Sequence, residues 1–221
     1  MIELTTLPDN IKPAIGYVIV EVPYLTREHK NGMELDLLAD ISVGDYTIRS
    51  GVVNSCGSTD IPDFNFQWDS PLQIKKGDKV WWIPNASQQL ATTEDENYRV
   101  MRYKDRFFLS IPYKMLVMKL QAGEYVGLND HVISEIVRED SEIDMSEVRE
   151  SGLIHRVIAA PLPGIVYRET KAEREVPVEV VPGMIVSLRR ARRQYLEYAD
   201  DMELPGRWCA FQSFNILGGT K

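Results

Sequence analysis

Gly16-Tyr17-Val18-Ile19-Val20-Glu21-Val22 returns in outline as Asp130-His131-Val132-Ile133-Ser134-Glu135-Ile136, 114 positions further on. Both are short, β-branched runs bounded by turn formers, the pattern of a strand rather than a helix. Three further blocks recur in the same order. Ser50-Gly51-Val52-Val53 matches Ser151-Gly152-Leu153-Ile154 at an offset of 101, and Gln73-Ile74-Lys75-Lys76-Gly77-Asp78-Lys79-Val80 matches Glu179-Val180-Val181-Pro182-Gly183-Met184-Ile185-Val186 at 106. The stretch 107–116 then matches 208–217, again at 101. Each block alone is weak, because valine-rich strands resemble one another. Their shared order points to an internal repeat, and the repeat predicts two homologous β domains, 1–122 and 123–221.

The rest of the chain agrees with an all-β reading. Runs such as Lys79-Val80-Trp81-Trp82-Ile83 lie between Gly, Pro, Asp and Asn, and only 187–202 has any helical pattern. A length of 221 residues, 44% hydrophobic and 26% charged, suits one large domain or two smaller ones and excludes wholesale disorder. No apolar run reaches the roughly 20 residues of a membrane span, and the first residues have no signal-peptide pattern, so a cytoplasm is expected. Cys56 and Cys209 are too few for a disulfide scaffold and are expected to be buried thiols, with one long-range disulfide the alternative. Two glycines carry turn chemistry. Gly77-Asp78 is a tight-turn signal that Gly183 repeats, while Gly51 and Gly152 are read as marking a bulge or bend.

The blocks Ile11-Lys12-Pro13, Tyr17-Val18-Ile19-Val20, Arg49-Ser50-Gly51-Val52-Val53, Ile74-Lys75-Lys76-Gly77-Asp78-Lys79-Val80 and the closing Met115-Leu116-Val117-Met118 resemble those of the GroES family of co-chaperonins. The tandem arrangement is similar to the two-domain plastid co-chaperonins. The resemblance implies two tandem GroES-like β-barrel domains, without catalysis or cofactor, that cap a GroEL-like chaperonin ring as a homo-oligomer.

It also implies a docking loop, here 26–47, whose tip would be Met33, Leu35, Leu37 and Leu38. Glu34 and Asp36 interrupt that tip. The alternation reads equally as one face of a short strand packed on the protein's own barrel. In the second half the corresponding residues are Ile143, Met145 and Val148, within an acidic run. The loops 57–70 and 161–177 fall where the family carries its roof hairpins.

Other readings are weaker. Phe64, Phe66 and Trp68 alternate as in a stacking platform for single-stranded nucleic acid, but Asp60, Asp63 and Asp69 repel phosphate, so packing is expected. The net charge of −8 argues the same way, despite the basic patch Arg189, Arg190, Arg192 and Arg193. His29, His131 and His155 lack metal-ligand spacing, and His131 is expected on the barrel surface. Zinc-type alcohol dehydrogenases also contain a GroES-like barrel, but their nucleotide-binding motif and ligand set are missing here. The alternative to a lid is a structural or assembly protein, for instance of a phage particle, which would place the chain in a virion.

Overall fold

The computed structural model describes residues 2–6, 12–22, 29–30, 33–34, 50–57, 68–69, 72–82, 100–137, 154–163, 166–167, 179–188, 194–195, 204 and 208–220. These form strands joined by turns, with 3-10 turns at Tyr113–Met115 and Ser213–Asn215 and no α-helix among the described residues. In chain order the strands are β1 (Ile2–Glu3), β2 (Tyr17–Val22), β3 (His29–Lys30), β4 (Met33–Glu34), β5 (Ser50–Cys56), β6 (Trp68–Asp69), β7 (Lys79–Trp82), β8 (Val100–Tyr103) and β9 (Arg106–Pro112). They continue with β10 (Leu116–Gln121), β11 (Glu124–Gly127), β12 (His131–Ile136), β13 (Ile154–Ala159), β14 (Val166–Tyr167), β15 (Ile185–Leu188), β16 (Gln194–Tyr195), β17 (Trp208–Gln212) and β18 (Ile216–Thr220).

The first main sheet runs β1-β8-β9-β2-β5-β7-β10-β11 and the second β16-β17-β12-β13-β15-β18. All pairings are antiparallel except the parallel addition of β1 to β8. Six strands correspond in order: β8-β9-β2-β5-β7-β10 in one sheet and β16-β17-β12-β13-β15-β18 in the other. The registers correspond too. Val18 pairs with Ile111 as Val132 pairs with Phe211, and Gly51 pairs with Val80 as His155 pairs with Val186.

Even the irregularities recur. A bulge interrupts β2·β5 between Ile19 and Val20 and β12·β13 between Ile133 and Ser134. Another interrupts β7·β10 and β15·β18 at matching places, Leu116/Met118 and Ser187/Leu188. The extra residue is Asn54 in β5 and Ile158 in β13 at the first pair of bulges, and Val117 in β10 and Leu217 in β18 at the second.

This register corrects two of the sequence matches. The offset of 114 for β2/β12 and of 106 for the Gly77/Gly183 turn stand. The counterpart of Gly51 is His155 rather than Gly152, an offset of 104, because Gly51 and His155 face the matching residues Val80 and Val186. The counterpart of Phe108 is Trp208, an offset of 100, since they face Glu21 and Glu135. Both slips arose because similar residues recur every few positions in valine-rich strands. Gly51 is also not the bulge: a Cβ there would lie 2.5 Å from the Glu21 carbonyl oxygen and 2.5 Å from Val20 Cγ1, so its role is close strand approach.

The expectation of barrels is corrected as well, since both sheets are open. The first ends in β1 and β11 and the second in β16 and β18. β1 is taken up by β8, and β11 leads the chain through Gly127 into the second sheet, where Gly127 bridges Pro161. Neither edge therefore turns back to meet the other. β11 hydrogen-bonds to the first sheet although it lies beyond the position 122/123 at which the sequence repeat divides the chain.

The turns show why the two halves fold alike. Gly77 (φ 92°) and Gly183 (φ 85°) occupy the left-handed region that glycine adopts without steric cost. Their N–H groups donate to Val53 O and Val157 O, and Val53 and Val157 N–H groups donate in return to Asp78 O and Met184 O. The turn thus survives the replacement of Asp78 by Met184 because these backbone bonds are kept, while the bond from Lys75 N–H to Asp78 Oδ2 (3.1 Å) belongs to the first turn alone. Inward-facing valines do the rest. Val18, Val20, Val53, Val80, Trp82, Ile111 and Leu116 build the first core, and Val132, Val157, Val186, Leu188, Phe211 and Ile216 build the second. A third cluster joins the sheets: Trp81, Val117 and Met118 from the first meet Ile133, Ala159, Leu204, Trp208 and Ala210.

Candidate interaction surfaces and the junction between the sheets

β3 and β4 pair His29 with Glu34 and Lys30 with Met33 as a two-stranded sheet separate from both main sheets. The sequence between them is Asn31-Gly32, the pair that two-residue hairpins prefer, and this signal could have located the hairpin in advance. Met33, the first residue of the expected tip, thus lies in a hairpin on the connection between β2 and β5. Leu35, Leu37, Leu38, Ile143 and Met145 lie outside the described residues, as do Phe64, Phe66, Arg189 to Arg193 and the acidic run. The two roof-loop positions are brought together: Trp68 pairs with Tyr167 and Asp69 with Val166. Trp68 is therefore in a strand.

The best-defined polar constellation is one that sequence reading missed, at the junction of the two sheets. Gln73 is its hub. Its side-chain Nε2 donates to Leu162 O (3.3 Å) and Pro163 O (3.1 Å), and its Oε1 accepts from Asn129 N–H (3.1 Å). Its backbone N–H donates to Tyr113 Oη (2.9 Å), and its carbonyl accepts from Lys119 Nζ (2.6 Å). Asn129 Nδ2 donates to Tyr113 O and Leu116 O, and Lys119 also pairs with Asp78 at 3.5 Å. Above this network Tyr125 stands edge-on to both Trp81 (5.6 Å between centroids) and Trp208 (4.8 Å). The one sequence sign of it is Leu128-Asn129-Asp130, polar where its counterpart Ala14-Ile15-Gly16 is apolar or bare.

Three groups in the second half look reactive at first sight. Ser134 Oγ and His155 Nδ1 are 3.0 Å apart, the spacing of a serine and its base. Both are fully buried, with Phe211 edge-on to the imidazole at 5.7 Å, so no substrate reaches them and the pair fills a core position. Asp130 (φ 64°) takes the left-handed conformation of its counterpart Gly16 (φ 76°), and its buried carboxylate accepts from Ser213 Oγ (2.7 Å) and Ser213 N–H (3.1 Å).

His131 corrects another expectation. It is buried rather than on the surface, with Nδ1–H donating to Leu128 O at 2.9 Å, and burial lowers its pKa to about 4. Both cysteines are free. Cys209 is buried and Cys56 half-buried, with its thiol pKa raised by burial and by nearby Asp78.

Nothing in this arrangement assembles a nucleophile, base and oxyanion site on an accessible surface of the described residues. It provides a rigid pair of sheets, a separate hairpin and sheet edges. No helix among the described residues is long and apolar enough to cross a membrane. Comparison with protein-family models and with curated proteins finds no match to this chain.

Proposed function

We propose that the protein is a non-enzymatic co-chaperonin, a tandem pair of GroES-like units that caps a GroEL-like chaperonin ring in the cytoplasm through the loop 26–47. The hairpin His29–Lys30/Met33–Glu34 carries this reading. It is set apart from both sheets, on the connection where the family resemblance puts a docking loop, and it leads directly into Leu35, Leu37 and Leu38. The repeated strand order supports the paired-unit part of the proposal.

Energetics require several copies. Burying one Leu or Met yields roughly 1.5–3 kcal/mol, and ordering a segment on binding consumes roughly 2–5 kcal/mol. One loop with three or four apolar side chains holds weakly, whereas several loops on one oligomer gain from effective concentration. The test is limited proteolysis. Cleavage within 26–47 should be suppressed by adding a chaperonin with ATP, and cleavage that proceeds at the same rate contradicts docking through this loop.

A second reading, a structural or assembly module, is favoured by the junction. The Gln73 network and the aromatic trio lock the two sheets into one body. It predicts stable self-assembly with no affinity for a chaperonin.

A further inference from the structure

Of the chain's three histidines, His29 lies in the separate hairpin, and His131 and His155 are both buried in the second main sheet. The first main sheet holds none. At the two matched positions it carries Tyr17, which is half-buried, and Gly51.

His131 stands where the chain crosses from one sheet to the other. Leu128 N–H donates to Val117 O beside β10 of the first sheet, and Leu128 O accepts twice from His131, from its backbone N–H (2.9 Å) and from its Nδ1–H (2.9 Å). The backbone bond recurs in the first sheet, where Tyr17 N–H donates to Ala14 O (3.0 Å). The ring bond is added to it in the second. Gly127 is pressed against the same crossing, since a Cβ there would lie 1.8 Å from His131 O.

The groups around this ring do not favour a charge on it. From β17 the opposite residue is Gln212, from the turn come the carbonyls of Leu128 and Asn129, and β13 ends opposite Ile133 at Ala159. Asp130, beside His131 in sequence, turns its carboxylate to Ser213 Oγ (2.7 Å). Burial outweighs the two carbonyls and holds the ring neutral.

We infer that the crossing is an acid-sensitive hinge: protonation of His131 breaks it and loosens the second sheet, while the first sheet, which has no histidine, stays folded. Release uncovers Trp81, Val117 and Met118, which pack against Ile133, Ala159 and Trp208 in the closed joint. The direction follows from linkage. Once the joint opens, the ring returns from about 4 to its ordinary pKa of 6.5 and binds a proton more readily, so opening is favoured as pH falls from about 6.5 towards 4. From His131 alone the opening constant rises roughly 20-fold between pH 7 and pH 5.

This hinge is independent of the lid reading, and its test contains no chaperonin. The measurement is hydrogen exchange by peptide on the full chain at pH 7 and pH 5, corrected for the intrinsic pH dependence of exchange. Protection across β12 and β17 should fall roughly 20-fold more than protection across β2 and β9. His131→Tyr, which installs the first sheet's residue, should remove that difference. So should His131→Gln, which keeps an N–H donor for Leu128 O and does not titrate. Equal loss in the two sheets, loss in neither, or a difference that persists in either folded variant would each overturn the inference, and the wild-type comparison decides without any variant.

Discussion

The two sheets share order, register and bulges, yet at one matched position they fill the same space in opposite ways. In the first, Gly51 has no side chain and Val20 occupies the room, with Val20 Cγ1 2.5 Å from where a Cβ would stand. In the second, the counterparts are His155 and Ser134, hydrogen-bonded at 3.0 Å and covered by Phe211. Volume moved from one strand to its neighbour, and a buried imidazole came with a hydroxyl partner. The comparison teaches that backbone turns and bulge positions carry this fold, whereas each core is a separate packing solution.

The sharpest way to break the pair lies between the sheets. Lys119 is buried against Gln73 O and Asp78, while its counterpart in the second sheet is Gly219. Lys119→Met takes the donor from Gln73 O and the cation from the part-buried Asp78 carboxylate, and should cost about 3 kcal/mol in chemical denaturation. Gly51→Val places branched carbons against the Glu21 carbonyl and should cost about 3 kcal/mol, measured the same way. The double variant Gly51→His/Val20→Ser imports the second sheet's solution and should recover part of that loss. No recovery would mean that the two cores differ in more than this exchange.

A pH series sharpens the contrast between Tyr17 and its counterpart His131. The folded pKa of about 4 lies below the ordinary 6.5, so the folded state binds its proton less readily than the unfolded state. Stability from the neutral ring is therefore present above about pH 6.5 and is lost as pH falls from there towards 4, by roughly 3 kcal/mol in all. His131→Tyr should flatten that part of the stability–pH curve, and an unchanged acid slope would contradict a buried neutral ring.

The smallest effect is expected at the surface. Glu21 pairs with Arg106 on β9 (2.6 Å to Nε), whereas its counterpart Glu135 pairs with Arg156 on β13 (3.1 Å). Both pairs are part-exposed, so Glu21→Gln and Glu135→Gln should each change stability by less than about 1 kcal/mol in thermal unfolding.

Much of the fold was legible because strands and tight turns are written locally. Val18 to Val22 alternates inward valines, and Gly77 and Gly183 announce turns whose shared bonds are backbone. The three-residue slip at Gly51 was not avoidable from residue types, since register is decided by partners on other strands. Openness of the sheets was hidden for the same reason: closure depends on where β1 and β11 go. The junction was hidden more deeply. Gln73, Lys119 and Asn129 are ordinary polar residues in sequence, and only packing of one sheet on the other brings them together. Of the expected docking residues, Met33 alone falls within a described strand, and the Asn31-Gly32 pair was the sign that a hairpin precedes the tip.

The measurement that tests the lid reading most directly is size-exclusion chromatography with light scattering on a chaperonin mixed with this protein, with and without ATP. The account predicts nucleotide-dependent co-elution by the wild type and its loss in Leu35→Asp/Leu37→Asp. Co-elution that survives both substitutions, or a wild type that never joins the chaperonin, would contradict it.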